Sequence, residues 1–537
     1  MKARTESFLL PFDHNRTFPL FSVAEMRQAE AEADARGLSY AQMMQNAGRR
    51  AAEFIVEELL SGLFYPHVVV LVGPGNNGGD GLVCATALVH QAWSVVAALL
   101  RPRDATSDPV YAEALRAGVQ CFVVEGDAGL ERLREVLSQA DVIVDALLGT
   151  GTSRPIEGTL REVLRLVAST RKQTARIVAL DGVTGMNYDT GALDPSAVPA
   201  DYTLSFHALK RGHVCFPAAG ACGRRFVVDI GIEQPQSWLV FSAGRDWVKA
   251  WLPQRAPDAN KGTHGRVLVV GGSEAFVGAP ILAARAAYRV GAGLVTLAVP
   301  QSVKPTAATL CPEATFVPLP ESVATHDARA LPRLEEWLAQ HPESVVVLGP
   351  GFSLAAEARA FLEALLAYLS KVSQRALVCD ADALNWLAGQ KEWQARLPAE
   401  SVITPHPGEM ARLMKCSVAE VQADRIGNAQ RAACQWRHVV VLKGAHTVIA
   451  SPDGRIAVLP FANPALAVAG TGDVLAGAIG GLMAQGLPPF EAAVCGGFVH
   501  ALAAEHSGEA GLLASELADR LPEALNQVKR GDFVALP

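Results

Sequence analysis

The sequence predicts an α/β protein of two domains, each built on a mostly parallel, doubly wound sheet. Three observations predict it. The chain has 537 residues, too many for one hydrophobic core. Short β-branched runs alternate with amphipathic helical stretches twice over, once between about residues 22 and 232 and again after Pro257. Each run ends in Gly, Asp or other turn residues, as the buried strands of a parallel sheet do.

The first series opens with helical patterning over residues 23–58, broken at Gly37, with Met43, Met44, Ala47 and Ala51 on one face. Strands follow at 67–72, 95–100, 141–145, 176–181 and 202–206. The second series places strands at 266–270, 294–298, 344–348, 376–380, 401–404 and 438–442. The stretch 233–258, rich in Pro, Gln and Trp, separates them and puts the boundary near residue 240. The expected domains are therefore 20–235 and 240–537.

Composition narrows the function. Half of the residues are hydrophobic and 19% charged, which fits a globular enzyme rather than a disordered scaffold. A net charge of -7 without long runs of one sign disfavours a nucleic-acid or anionic-membrane partner. Nine scattered cysteines with no C-x-x-C pair argue against a disulfide framework or a structural zinc and for a reducing cytoplasm. Residues 1–19 lack a signal-peptide core, and no apolar run is long enough to span a bilayer. A soluble protein is expected.

The chemistry of the first half begins at GPGNNGGDG, residues 73–81, between a strand and a helix. Gly73, Gly75 and Gly78 form a G-x-G-x-x-G that lets backbone approach a pyrophosphate at a helix N-terminus, although a plain tight turn fits the glycines as well. The acidic ribose partner expected about twenty residues on is missing; Arg101 and Arg103 stand there, and an arginine suits a 2′-phosphate. The next strand ends carry Asp145 and Asp181-Gly-Val-Thr-Gly185. Strand C-termini in such a sheet open on one crevice, so Asn77, Asp145 and Thr184 can converge there. Two neutral oxygens and one carboxylate suit a weakly hydrated monovalent cation.

GPGNNGGDG, DALLGTG at 145–151, the Asp181 loop and TLSFHALKRG at 203–212 together resemble the NAD(P)H-hydrate epimerase family, over about residues 22–232. The resemblance implies a Rossmann-like three-layer domain that binds a reduced nicotinamide cofactor whose ring has added water, and interconverts its C6 epimers. It implies that Asn76, Asn77, Gly78, Gly79 and Asp80 contact this hydrate, as do Gly149, Thr150, Gly151, Thr152, Ser153, Arg154 and Pro155. Asn77, Asp145 and Thr184 match potassium ligands, and Asp181 matches a substrate-contacting acid/base. One departure stands out: the family writes the last loop D-x-P-S-G. Threonine keeps the oxygen, but the missing proline loosens the turn and bears on the cation's geometry rather than on the fold.

The second half has no P-loop. Its most informative stretch is Ala469-Gly-Thr-Gly-Asp473-Val-Leu-Ala-Gly477, a glycine turn opening a helix with a carboxylate in the first turn. Unpaired N–H groups there form an anion cradle, and an aspartate beside it can deprotonate an alcohol during phosphoryl transfer. An ordinary acidic helix start is the plainer reading of that motif alone. Other strand ends carry Gly349-Pro-Gly351, Asp380-Ala-Asp382 (two carboxylates suited to Mg2+), Thr404-Pro-His-Pro-Gly-Glu409 and Lys443-Gly-Ala-His-Thr447.

In this order the motifs resemble the ribokinase-like superfamily and, within it, the ADP-dependent NAD(P)H-hydrate dehydratases, from about Lys261 onward. The resemblance implies that Lys443, Gly444, Ala445, His446, Thr447 and Gly472 hold the adenine nucleotide. It implies that Ala279, Gly351, His406 and Asp473 contact the hydrate, with Asp473 as catalytic base, and that family members assemble as tetramers or larger. The two halves joined resemble the bifunctional NAD(P)H-hydrate repair family. A small-molecule kinase fused to a dinucleotide-binding domain is the alternative, and a nucleotide-sensing module is a third reading of the first half.

Overall fold

The computed structural model describes residues 9–63, 65–151, 154–235, 237–322, 325–371, 376–399 and 401–530. The chain forms two compact units. The first takes residues up to Asp13 and Phe18–Trp238, and the second takes His14–Thr17 and the chain from Leu239 on.

The first unit's sheet runs, edge to edge, Leu9–Pro11, Arg224–Val228, Tyr202–Phe206, Arg176–Leu180, Val142–Ala146, His67–Val72, Ser94–Leu99 and Gln120–Val123. All neighbours pair in parallel except Leu9–Pro11, which lies antiparallel on Arg224–Val228. Residues 1–19, placed in neither domain by sequence, thus supply an edge strand. The apolar run HVVVLV is buried on both faces: Val68, Val70 and Val72 enter one core and Val69 and Leu71 the other. Helices cover both sides, giving three layers. Chain order reverses between His67–Val72 and Val142–Ala146, so their C-terminal loops open the crevice where such sheets bind ligands.

The second unit's sheet runs Thr315–Leu319, Leu294–Pro300, Arg266–Val270, Val345–Leu348, Leu377–Cys379, Val402–Ile403 and Val439–Leu442, all parallel. Val448–Ala450 and Ile456–Val458 continue it antiparallel, and Val240–Ser242 pairs with the latter in parallel. Helix Thr471–Ala484 lies close against the sheet and against helix Gly278–Arg289 because its glycines allow it. A Cβ on Gly480 would stand 2.4 Å from Val347 Cγ2, and one on Gly477 2.1 Å from the Ala283 carbonyl oxygen. Among the described residues, no helix is long and apolar enough to cross a membrane.

Candidate active sites

In the first unit, the strand His67–Val72 gives way to Gly73-Pro-Gly75 and the helix Asn76–His90. Glycine is required by close approach: a Cβ on Gly73 would stand 1.6 Å from the Leu147 carbonyl oxygen, and one on Gly78 2.0 Å from that of Gly73. Arg103 braces the loop. Its Nη2 donates to the carbonyls of Gly73 at 2.7 Å and Gly75 at 3.1 Å, and its Nη1 pairs with Asp108 at 2.5 Å. Its guanidinium is therefore spent on protein, not left open for a 2′-phosphate.

Of the three residues that the sequence puts forward for a cation, Asp145 and Thr184 bond each other directly and Asn77 joins them through Leu148. Thr184 donates through Oγ1 to Asp145 Oδ1 at 2.6 Å and through its N–H to Oδ2 at 2.9 Å. Thr184 Oγ1 accepts from the Leu148 N–H at 3.1 Å, and Asn77 Nδ2 donates to the Leu148 carbonyl at 3.1 Å. Asn77 Oδ1 is buried with no hydrogen-bond partner. An orphaned amide oxygen of this kind is a hard donor of the type that large monovalent cations use. The Thr184 loop is held through both backbone and side chain despite lacking proline.

Asp181 follows the strand Arg176–Leu180 with φ of 61°, an unusual conformation for a non-glycine residue. Two groups hold it there. Lys210 Nζ forms an ion pair with Oδ1 and also donates to Ser205 Oγ at 3.3 Å and the Phe206 carbonyl at 3.0 Å. His213 Nε2 donates to the Asp181 carbonyl at 2.9 Å while its Nδ1 accepts from the Lys210 N–H. Burial, with the Lys210 charge, pushes the His213 imidazole down to about 3, so it stays neutral in that tautomer.

Asp181 and Lys210 open on a cavity of about 820 Å³, lined also by Asn76, Asn77, Asp80, Gly149, Thr150 and Gly151. Gly78 and Gly79 face inward, toward Gly73 and Met44. Arg154 and Pro155 are exposed and outside the lining, and Thr152 and Ser153 lie outside the described residues. Sequence reasoning assigned no role to Lys210, though it sits within TLSFHALKRG, or to Glu30. Glu30 reaches the same cavity from helix Val23–Ala35, and no local motif marks it.

In the second unit, one lysine organises the centre. Lys443 Nζ pairs with Asp380 Oδ1 at 2.7 Å and lies 3.8 Å from Glu409 Oε2. A Cβ on Gly472 would be 3.4 Å from that Nζ and 3.7 Å from Asp380 Oδ2, so the glycine start of helix Thr471–Ala484 abuts the pair. Gly470, at φ 93°, supplies the left-handed turn into the helix. Asp473 stands in the first turn. Burial first, then the charges of Asp380, Asp382 and Glu409, push its carboxyl up to about 7 against the opposing Lys443. Glu409 is likewise pushed up to about 7, by burial and Asp380.

Glu409 caps its own helix, Pro407–Met414: Oε2 accepts from the His406 N–H at 2.8 Å, and Gly408 N–H donates to His406 Nδ1 at 3.0 Å. Ala279 and Gly351 adjoin, since a Cβ on Gly351 would stand 2.9 Å from that of Ala279. Asp380 faces Lys443, and Asp382 accepts from the Ser353 N–H at 2.9 Å. Among the described residues no group of three or more His, Cys, Asp or Glu could hold a metal. Lys443, Gly444, Ala445 and Thr447 face outward to differing degrees, but the His446 ring is buried with Nδ1 at 3.1 Å from the Leu459 carbonyl. Arg425, absent from the sequence reading, donates to the carbonyls of Leu442 at 3.0 Å and Lys443 at 3.2 Å, fixing the backbone of that turn.

The chain is similar, nearly from end to end, to a bifunctional NAD(P)H-hydrate repair enzyme Nnr of Moorella thermoacetica. The two are 38% identical over 502 residues, 91% of this chain and 92% of the relative. The chain belongs to the bifunctional NAD(P)H-hydrate repair enzyme family. The Escherichia coli relative of the same name is 33% identical, covering 94% of this chain and 93% of its own. The family model described as YjeF-related protein N-terminus matches residues 40–212, and the one described as NAD(P)H-hydrate dehydratase matches 267–526. Among solved structures, the ADP/ATP-dependent NAD(P)H-hydrate dehydratase of Bacillus subtilis, co-crystallised with ATP/Mg2+, is 30% identical. It covers 53% of this chain and 97% of its own, with a TM-score of 0.44. In this repair family member, the first model spans Asn77, Asp145, Asp181, Thr184 and Lys210, and the second Asp380, Glu409, Lys443 and Asp473.

Proposed function

We propose that the protein repairs hydrated NADH and NADPH. Its first unit interconverts the R and S hydrates at C6, and its second dehydrates the S hydrate at the expense of ADP, yielding NAD(P)H, AMP and phosphate. The observation that carries the reading is Asp473, a buried carboxyl of raised proton affinity at a glycine-started helix beside Lys443, in a chain similar throughout to enzymes of this name.

The chemistry fits these residues. Hydroxide is a poor leaving group; phosphate is a good one. Asp473, pushed up to about 7, is a stronger base than an ordinary carboxylate and accepts the C6 hydroxyl proton as its oxygen attacks the terminal phosphoryl of ADP. N–H groups at Gly470–Gly472 and the Lys443 ammonium offset the charge in flight. The ring nitrogen's lone pair then expels phosphate, and loss of a C5 proton re-forms the C5=C6 double bond. Lys443, Gly444, Ala445, Thr447, Gly472 and the backbone of His446 form the nucleotide side; Ala279, Gly351 and His406 form the hydrate side.

Two ions belong to this reading. Potassium fits Asn77 Oδ1, Asp145 and Thr184 and would fix the crevice's two loops together. Magnesium is an ion that commonly arrives on nucleotide phosphates and retains water; Asp380 and Asp382 would be the carboxylates to hold it. The protein is further proposed to be a homo-oligomer, a tetramer or larger, which light scattering would test. The deciding assay supplies purified R and S hydrates with and without ADP, ATP and potassium. Recovery of the reduced-nicotinamide absorbance with ADP supports the reading, and a stable phosphorylated product overturns it.

A further inference from the structure

Epimerisation at C6 needs two opposite proton services. The departing hydroxyl must gain a proton on one face of the ring, and the incoming water must lose one on the other. The cavity of the first unit contains carboxyl groups in unlike surroundings. Asp181 is ion-paired with Lys210 and accepts from the Phe206 N–H at 3.3 Å. Asp80, in the first turns of helix Asn76–His90, lines the same cavity, and among the described residues none hydrogen-bonds to its carboxyl. Burial first, then the negative charges of Asp181 and Glu30, push it well above the usual carboxylate range, with Lys210 opposing. One carboxylate held by an ammonium and one carboxyl buried in the same cavity away from that ion pair are placed to divide base and acid roles.

The geometry points to Asp80 as the general acid and Asp181 as the general base of one epimerisation turnover. This rests on the epimerase reading above. Asp80 gives its proton to the C6 hydroxyl, the C–O bond breaks with its electrons leaving as water, and the ring nitrogen's lone pair forms N1=C6. Water attacks the opposite face, its proton passes to Asp181, and the N1=C6 electron pair returns to nitrogen. The reverse turnover, or exchange with solvent, restores the starting protonation.

Arg27 and Glu30 reach the cavity from helix Val23–Ala35, and Tyr40 from helix Tyr40–Phe54. Cys84 lies one turn along Asp80's own helix, and Asp145 is engaged by Thr184. Glu30 is the neighbour whose charge, after that of Asp181, raises Asp80, and it shares with Asp80 the opposing charge of Lys210.

The test is the pH dependence of epimer exchange in the full chain, with dehydration of the S hydrate as the folding control. Asp80→Asn keeps the shape and removes the proton. It should slow exchange by about 10²–10⁴-fold, with KM little changed, and the residual rate should lose its alkaline fall-off. Glu30→Gln removes a negative neighbour, makes Asp80 more acidic and should move the alkaline fall-off to lower pH; if Asp80→Asn does not fold, this shift decides. Exchange that keeps the wild-type alkaline limb in both variants overturns the assignment alone. Wild-type exchange no faster than the uncatalysed rate overturns the epimerase reading, and the assignment with it.

Discussion

Each unit builds its centre from one lysine and several carboxyls, yet the ratios differ, and the difference separates the two chemistries. In the first, Lys210 is fully buried and committed to Asp181, with Ser205 and Phe206 completing its bonds. Asp80 feels the same lysine, whose charge opposes the effect of burial on its carboxyl without cancelling it. In the second, Lys443 stands among Asp380, Asp382, Glu409 and Asp473 and pairs closely only with Asp380. Burial first, and then the surplus negative charge, pushes both Asp473 and Glu409 up to about 7. A centre so poor in cations is prepared for ones that arrive with a nucleotide; a centre whose lysine is spent on one of its carboxylates is prepared for a proton shuttle.

The largest effect that can break this comparison is a reciprocal one. Asp473→Asn should lower ADP-dependent dehydration by at least about 10²–10⁴-fold and leave epimer exchange near wild type; Asp181→Asn should do the opposite. Initial rates of both reactions on each variant check this. A centre that needs its carboxyl deprotonated gains rate as pH rises through about 7. Asp380→Asn withdraws a negative neighbour, lowers the Asp473 pKa and should shift the ascending limb of dehydration to lower pH, whereas epimer exchange keeps its profile. An upward shift would break the proposed charge balance.

Exchanging potassium for lithium should cost the first unit several-fold in epimer exchange, as in the loss of a positioning contact of about 1 kcal/mol, and leave dehydration initial rates unchanged. The smallest effect is on stability. The folded state holds the Asp473 proton more tightly than the unfolded chain does. Its favourable contribution is therefore complete below about pH 4 and declines as pH rises toward 7. Asp473→Asn should raise the Tm of the second unit's transition by about 2 °C at pH 8 and by less at pH 5, as calorimetry would record.

Much of the fold was legible because its strands are buried on both faces and so read as short continuous apolar runs. The expected strands at 67–72, 202–206 and 266–270 coincide with those observed. The edge strand Leu9–Pro11 was not, since a three-residue antiparallel edge carries too little pattern to stand out. The glycine loops were legible because close backbone approach leaves no alternative residue at Gly73 or Gly78. Charge pairing was not: Lys443 meets Asp380 across 63 residues and Lys210 meets Asp181 across 29. The sequence put Asp380 forward for magnesium, and no local pattern shows that its carboxylate also meets Lys443. His446 in the KGAHT turn and Arg103 after the glycine loop follow the same lesson, because where a polar side chain points is decided by distant backbone carbonyls.

The central claim, two separable chemistries in one chain, is tested most directly by mixing the two single-site variants. An equal mixture of R and S hydrates with excess ADP is followed by the return of reduced-nicotinamide absorbance, over a time short against spontaneous epimerisation. The account predicts that Asp181→Asn alone recovers only the S half, Asp473→Asn alone recovers none, and the two together recover all. A mixture that recovers no more than Asp181→Asn alone would contradict it.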